Sequence, residues 1–389
     1  MRILLQARSN LWSKPGGDSV QIYSLAQGLK EIDYDVEIDL SANRRLDSFD
    51  LVHCFNISRI QETYQQVLNA ERQAVPYVLT PIFQNLTEYN LRGRYGIAGR
   101  FAAKLSYETA EQLRNTYLWL RKESSTTACK AIWQDGYLTA VRHVLNNASG
   151  IIYNSNSENN EIQHFFKPTR NAPSTKIPVG INLHELDEAS TSFSKRIGIK
   201  NYVLCVGRIE DLKNQHRIIE ALKQAPHLPL VFIGFPNPNH RRYVRKFISM
   251  VRSRRNTFWF HDLDRDSVLS AISGAKVHIL ASFFETTGLA NVEAAYLGAS
   301  VVGTNQGYCR EIFGKYANYC DPFNKDSILK ATVEAWNTKQ VPDTKNWISH
   351  RFCYKICALK HANFYEKMRR DTRSMNTLNV KKIFTGKSS

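Results

Sequence analysis

Along the chain, short apolar runs of strand length alternate with amphipathic stretches of helix length, a pattern that predicts parallel sheets built from βαβ units. In the first half the runs are RILLQA at 2–7, DVEIDL at 35–40, DLVHCF at 50–55, PYVLTPI at 76–82 and GIIYNS at 150–155, with helix-forming stretches at 19–31 and 59–71. In the second half YVLCVG, LPLVFIG, NTFWFHD, KVHILAS and ASVVGTN repeat the arrangement, with helices expected near 214–225, 240–253, 266–274 and 291–298. The pattern therefore predicts an α/β chain of two doubly wound domains. Between them, PTRNAPSTKIPVGINLHELD at 168–187 has the Pro, Asn, Ser and Thr content of a stiffened linker. We expect a first domain over 1–175, a second over 176–345, a long helix over 346–370 and a mobile basic tail over 371–389.

Composition changes this picture little and charge changes it more. The 389 residues are 43% hydrophobic and 22% charged, ordinary for an ordered globular protein and unlike disordered or fibrous chains. Lys and Arg number 52 against 35 Asp and Glu, a net +17, so an anionic partner is expected: a phosphorylated metabolite, an acidic membrane surface or nucleic acid. The seven cysteines (54, 129, 205, 309, 320, 353 and 357) are odd in number and scattered, without the paired spacing of a zinc site, so we expect reduced thiols and no metal. The opening MRILLQAR is too short for a signal peptide, and no window reaches the roughly 18 apolar residues of a membrane span. A cytoplasmic protein is expected, and the Asn-x-Ser/Thr triplets at Asn56, Asn85 and Asn147 then carry no glycan.

Three stretches carry chemistry. SKPGGDSVQ at 13–21 lies between the first strand and its helix, where Gly16 and Gly17 can present bare backbone N–H groups to a phosphate. VGRIEDLKNQ at 206–215 puts Arg208 and Lys213 beyond the carboxyl end of a strand, where open α/β sheets bind ligands and where two cations suit a diphosphate. SFFETTGLANVEAAYLGASVV at 282–302 follows another buried strand; Gly288 loosens the chain before a helix, so Glu285 falls in the loop and Glu293 in the first helical turns, two acceptors for sugar or ribose hydroxyls.

These stretches resemble the retaining GT-B nucleotide-sugar glycosyltransferases of glycosyltransferase family 4, glycosyl transferases group 1. The likeness runs over nearly the whole chain and is most specific at Glu285-Thr-Thr-Gly288-Leu-Ala-Asn-Val-Glu293, followed by Gly298, SVV and NQGYCREI at 305–312; DPFNKDSI at 321–328 is similar too. It implies two Rossmann-like domains facing a central cleft, with a carboxyl-terminal helix returning to the first. It also implies that Glu285 contacts the donor sugar, Glu293 holds the ribose, and Arg208 and Lys213 bind the diphosphate. Gly16, Gly17 and the backbone at Thr286, Thr287, Gly288 and Leu289 would approach the phosphates. The implied donor is a nucleoside-diphosphate sugar and the acceptor a saccharide or lipid-linked saccharide, with no cofactor and no metal.

The sequence departs from the family at Ser300, where proline is usual, and at Pro81, Ile82 and Phe83, where many members carry a histidine. His53, at a strand end, is the remaining first-domain histidine in such a position; packing and a role near the acceptor both stay open for it. The stretch 92–122 gathers Arg92, Arg94, Arg100, Lys104, Arg114, Arg121 and Lys122 among aromatic residues and suits the face of an anionic membrane. A second basic run at 241–255 reads as a solvated helix face. Two other functions remain open from sequence: a nucleotide-sugar-binding protein without turnover, suggested by the missing histidine, and a basic nucleic-acid binder, for which no recognition motif is present.

Overall fold

The computed structural model describes residues 1–94, 105–121 and 126–385, the last fifteen of these by backbone alone. The chain forms two compact units. The first comprises Met1–Phe83, Ser106–Gly180 and Tyr354–Ser389; the second comprises Gln84–Leu105 and Ile181–Cys353.

In the first unit six parallel strands form one sheet: β1 Arg2–Gln6, β2 Asp35–Asp39, β3 Leu51–Phe55, β4 Tyr77–Thr80, β5 Gly150–Tyr153 and β6 Ser174–Lys176, in the order β2-β1-β3-β4-β5-β6. Side chains alternate across the pleat. Leu4, Val52, Leu79 and Ile151 face a core completed by Val67, Val141, Leu145 and Ile162 from the helices Ile60–Arg72, Tyr137–Asn147 and Asn156–Phe166. Ile3, Leu5, Leu51, Val78 and Ile152 face the opposite core, with Ile22, Leu25 and Leu29 of the helix Gly17–Lys30 and Ala358, Tyr365 and Met368 of the terminal helix Tyr354–Thr385. Because both faces are covered, the central strands read as continuous apolar runs.

The second unit repeats the plan with β7 Val203–Val206, β8 Leu230–Ile233, β9 Thr257–Phe260, β10 Val277–Leu280, β11 Ser300–Thr304 and β12 Asn318–Cys320, all parallel, ordered β12-β11-β10-β7-β8-β9. Leu204, Val231 and Val301 pack on the helices Arg265–Ser273 and Leu289–Tyr296. Val203, Phe232, Ile279 and Val302 pack on Gln215–Leu222, Arg241–Ser253 and Lys325–Asn337. This strand order, 3-2-1-4-5-6 within the unit, is the Rossmann order. The chain reverses direction across the sheet between β7 and β10, and in the first unit between β1 and β3. Ligands of such sheets sit beyond the carboxyl ends of the strands flanking that reversal.

The structure corrects several expectations. The expected linker contains β6, an edge strand with Pro173 before it and Pro178 after it, positions where a missing N–H costs no ladder bond. The three-residue β12 is too short to show any periodicity. The units divide between Gly180 and Ile181, and 84–105, expected in the first domain, belongs to the second unit. The single helix expected over 346–370 is two: Thr344–Phe352 in the second unit and Tyr354–Thr385 in the first, separated at Cys353, whose ψ of 122° is not helical. Backbone over 371–385 is helical rather than a tail, and 386–389 lie outside the described residues. Of the basic stretch 92–122, residues 95–104 and 122 also lie outside them; Tyr107–Leu120 is a helix, capped by Ser106.

The terminal helix is fastened where a small residue lets two backbones approach. A Cβ on Gly28 would meet Ala358 Cβ at 2.7 Å and the Tyr354 carbonyl at 3.1 Å. Beside this contact Tyr354 donates to Glu31 and Lys355 pairs with the same carboxylate at 3.0 Å. We expect Gly28→Val to displace the helix and lower unfolding free energy by about 1–3 kcal/mol in urea denaturation, the usual cost of overpacking.

Candidate active site

In the second unit β7 runs into Gly207, Arg208, Ile209 and Glu210, then a tight turn over Asp211–Lys213, then Asn214 in the left-handed conformation (φ 59°) and the helix Gln215–Leu222. Gly234, beyond β8, is held at φ 147° against this loop; a Cβ there would lie 2.1 Å from the Gly207 carbonyl oxygen. The loop after β10 runs from Ala281 to Gly288. Backbone and side-chain bonds tie the two loops together: Phe283 N–H donates to the Leu212 carbonyl at 2.8 Å, and the Asn214 amide donates to Ala281 and Pro322 carbonyls, each at 2.9 Å. Behind them, buried His278 accepts from Val206 N–H through Nε2, so its Nδ1 carries the proton donated to Asn291 Oδ1 at 2.6 Å. Burial pulls His278 down to about 4, so it serves as a neutral link between β7, β10 and the helix Leu289–Tyr296.

This scaffold brings Lys213 and Glu285 together. Lys213 Nζ lies 2.6 Å from Glu285 Oε1, and Ser282 Oγ donates to the same oxygen at 2.6 Å. The Glu285 backbone is fixed by Tyr308 N–H donating to its carbonyl at 2.9 Å and by Gly307 (φ 80°), where a Cβ would lie 2.2 Å from that oxygen. Burial disfavours the Lys213 ammonium, but the charge and hydrogen bond of Glu285 outweigh it, so its pKa is raised and the group is cationic throughout the neutral range. Arg208 is half exposed, lies 3.4 Å from Glu210, and is near enough to Lys213 to oppose its charge. The arrangement is a cationic loop beside a fixed carboxylate.

The stretch 286–289 closes the same corner. Gly288 takes a left-handed conformation (φ 68°) and heads the helix Leu289–Tyr296 without a side-chain cap. Thr287 is 3% exposed, yet its hydroxyl has no hydrogen-bond partner among the described residues, an arrangement that costs about 1–3 kcal/mol. Thr286 and Leu289 are half-buried beside it.

Glu293 stands apart from Glu285. Both its oxygens meet the Arg265 guanidinium, at 2.5 and 3.2 Å, and the same guanidinium reaches Glu185 at 3.1 and 3.2 Å. Burial works against the Arg265 charge, but the two carboxylates raise its pKa further above an already high value. Sequence reading missed Arg265, Glu185, Ser282 and His278. Arg265 and Glu185 come from the helices Arg265–Ser273 and Leu183–Asp187, which only the fold brings to Glu293; Ser282 and His278 share the β10 unit with Glu285, but no spacing rule singles them out.

In the first unit the candidates fare differently. Gly16 is extended and its N–H donates to Ser19 Oγ at 3.2 Å, while Gly17 begins the helix with open space around its α-carbon. The surrounding turn is cross-braced by Arg8, whose fork holds Asp18 at 2.6 and 3.0 Å and the Lys14 carbonyl at 2.7 Å. His53 is corrected to a core residue. It is fully buried, Nδ1 lies 2.6 Å from Tyr365 Oη and Nε2 lies 2.8 Å from Thr80 Oγ1, so neither ring nitrogen is left for a substrate, and burial holds its pKa well below the usual value. After β4, where the sequence has Pro81, Ile82 and Phe83, Ile82 is strained at φ 46°, costly for a β-branched residue, and buried Glu158 accepts from Phe83 and Asn154 N–H, each at 2.8 Å.

Comparison with known proteins bears on this corner directly. Residues 188–349, which hold every second-unit residue named in the site except Glu185, match the family model described as Glycosyl transferases group 1. The chain carries a glycosyl transferases group 1 domain. An uncharacterized glycosyltransferase of Methanocaldococcus jannaschii is 26% identical over 229 residues, a match that covers 55% of this chain and only 55% of that relative. Among solved structures, sucrose-phosphate synthase from Thermosynechococcus elongatus has a TM-score of 0.72 at 14% identity, covering 95% of this chain and 99% of that one. Anabaena HepE in complex with UDP-glucose has a TM-score of 0.66 at 16% identity, covering 94% and 100%. The catalytic domain of Arabidopsis thaliana starch synthase IV, bound to ADP and acarbose, has 0.63 at 13%, covering 95% and 99%. At these identities the likeness establishes fold, the two-sheet α/β architecture of GT-B glycosyltransferases.

Within the group 1 domain the Lys213–Glu285 pair is a structural as well as a chemical element. Removing Lys213 alone leaves a buried carboxylate whose side-chain donor among the described residues is Ser282. We expect Lys213→Met to destabilise the fold more than the Lys213→Met/Glu285→Gln double variant does, with a coupling energy of about 1–3 kcal/mol in a double-mutant cycle by urea denaturation.

Proposed function

We propose that the chain is a retaining glycosyltransferase of family 4 that moves a hexosyl unit from a nucleoside-diphosphate sugar to a saccharide or lipid-linked acceptor, in the synthesis of a cell-surface polysaccharide or glycolipid. The observation that carries the reading is the Lys213–Glu285 pair, 2.6 Å apart at the sheet reversal of a group 1 domain. Lys213 and Arg208 offset the negative charge that grows on the departing diphosphate, and a positioned cation is most effective where the charge develops. Lys213 has two further N–H donors for phosphate while one stays on Glu285. Glu285, fixed at its backbone, orients the donor sugar. Thr287 and the uncapped helix start at Leu289 supply neutral donors. Glu293 holds the ribose, for which one of its oxygens exchanges Arg265 for a hydroxyl. Binding of UDP-glucose by HepE and of ADP by starch synthase IV supports a nucleoside-diphosphate donor.

The reaction in this reading needs no metal, because the protein's own cations take the place a divalent ion would fill. Turnover should therefore persist in EDTA. We expect Lys213→Ala and Glu285→Ala each to lower turnover of the nucleotide sugar that shifts the melting temperature by about 100-fold or more, the scale on which one transition-state electrostatic partner acts. Wild-type turnover in both variants would refute the assignment, and binding without turnover in the parent chain would favour the non-catalytic reading.

We further propose that the protein works at the cytoplasmic face of an anionic membrane. No helix among the described residues is long and apolar enough to cross a bilayer. The helix Tyr107–Leu120 instead exposes Leu113, Tyr117 and Leu120 at i, i+4 and i+7, with Arg114 and Arg121 alongside, an apolar stripe with basic flanks suited to lipid headgroups. Leu113→Ser/Leu120→Ser should lower co-sedimentation with phosphatidylglycerol vesicles severalfold and leave the already weak binding to phosphatidylcholine unchanged; equal binding to both vesicles would refute the membrane reading.

A further inference from the structure

Asp211 opens the turn that carries Lys213, and its carboxylate is a junction. Oδ1 lies 2.8 Å from His240 Nδ1 and accepts the Leu212 N–H at 3.0 Å, and the Tyr89 hydroxyl lies beside the same side chain, whose charge adds to burial in raising the Tyr89 pKa. Tyr89 belongs to the short helical turn Tyr89–Gly93 in 84–105, which lies among first-unit elements in sequence but is part of the second unit. That turn grips the neighbouring loop as well. The Tyr89 and Phe283 rings are 5.6 Å apart, and Gly93 sits so close to Phe283 that a Cβ would lie 2.9 Å from its ring. Phe283 in turn is bonded through its N–H to Leu212. One short segment thus braces both loops that bring Lys213 to Glu285. Phenylalanine would fill the same volume as Tyr89 without burying a hydroxyl, and a buried hydroxyl is tolerated only where it finds a partner.

We propose that Tyr89 and His240, acting through Asp211, are positioning residues that hold the Lys213 turn in the geometry that binds a diphosphate. The inference rests on the assignment of Lys213 to the donor diphosphate. It adds a pH dependence. The hydrogen bond to Asp211 raises the His240 pKa above its ordinary 6.5; burial opposes this, the Asp211 and Glu210 charges add to it, and Arg94 opposes it. A raised pKa means that the brace is complete below pH 6.5 and is lost as pH rises through the raised value.

The test uses the full chain, with UDP, GDP, ADP, CDP and dTDP as calorimetric probes, and compares wild type with Tyr89→Phe, His240→Gln, Asp211→Asn and Lys213→Ala. We expect Tyr89→Phe and Asp211→Asn to weaken binding of whichever diphosphate the wild type takes by about five- to tenfold, the scale of one lost polar contact to the turn. Tyr89→Phe should leave the melting temperature nearly unmoved and shift the His240 titration measured by NMR. His240→Gln should bind more weakly than wild type below pH 6.5 and equally at about pH 9, where the imidazole is neutral. Wild-type affinity in Tyr89→Phe and His240→Gln, with binding lost in Lys213→Ala, would overturn the brace and leave the diphosphate assignment standing. Wild-type affinity in Lys213→Ala, or no binding of any probe to the parent chain, would overturn that assignment and the brace with it.

Discussion

The pairing of Lys213 with Glu285 is the constraint around which the second unit is arranged. A carboxylate this deep is costly without a cation, and a lysine this enclosed is costly without an anion, so each residue licenses the other. The Rossmann strand order puts β7 beside β10, and the loops leaving those two strands carry the partners. Asn214, Phe283, Gly307 and His278 then remove the freedom of those loops, three by hydrogen bonds and one by leaving room for a backbone to pass. Close positioning of a cation is what phosphate recognition and transition-state stabilisation demand.

Much of this was legible in the sequence, for reasons that can be named. Strands buried on both faces leave uninterrupted apolar runs, so ten of the strands could be read from RILLQA, YVLCVG and their counterparts. The two that could not, Ser174–Lys176 and Asn318–Cys320, are three-residue edge segments whose pairing comes from neighbours rather than from their own composition. The placement of 84–105 was illegible for a related reason. Its fastening is a set of contacts between Tyr89 and Gly93 and residues more than a hundred positions later.

At the site, the sequence located Arg208, Lys213, Glu285 and the glycine-led helix start because each follows a strand. It did not reveal that the two glutamates of one motif take separate cations, Lys213 for Glu285 and Arg265 for Glu293, since Arg265 comes from a different βα unit. His53 shows the opposite failure. Its position at a strand end suggested chemistry, but Tyr365 of the terminal helix and Thr80 of β4 consume both ring nitrogens, and only tertiary packing reveals that.

The central claim is that this corner of the group 1 domain holds the diphosphate of a nucleotide sugar. The most direct measurement is a crystal structure of the chain soaked with the nucleoside diphosphate that it binds most tightly. The account predicts phosphate oxygens within hydrogen-bonding distance of Lys213 Nζ and the Arg208 guanidinium, with the Thr287 hydroxyl no longer without a partner. A nucleotide bound elsewhere, with Lys213 engaged by Glu285 alone, would contradict it.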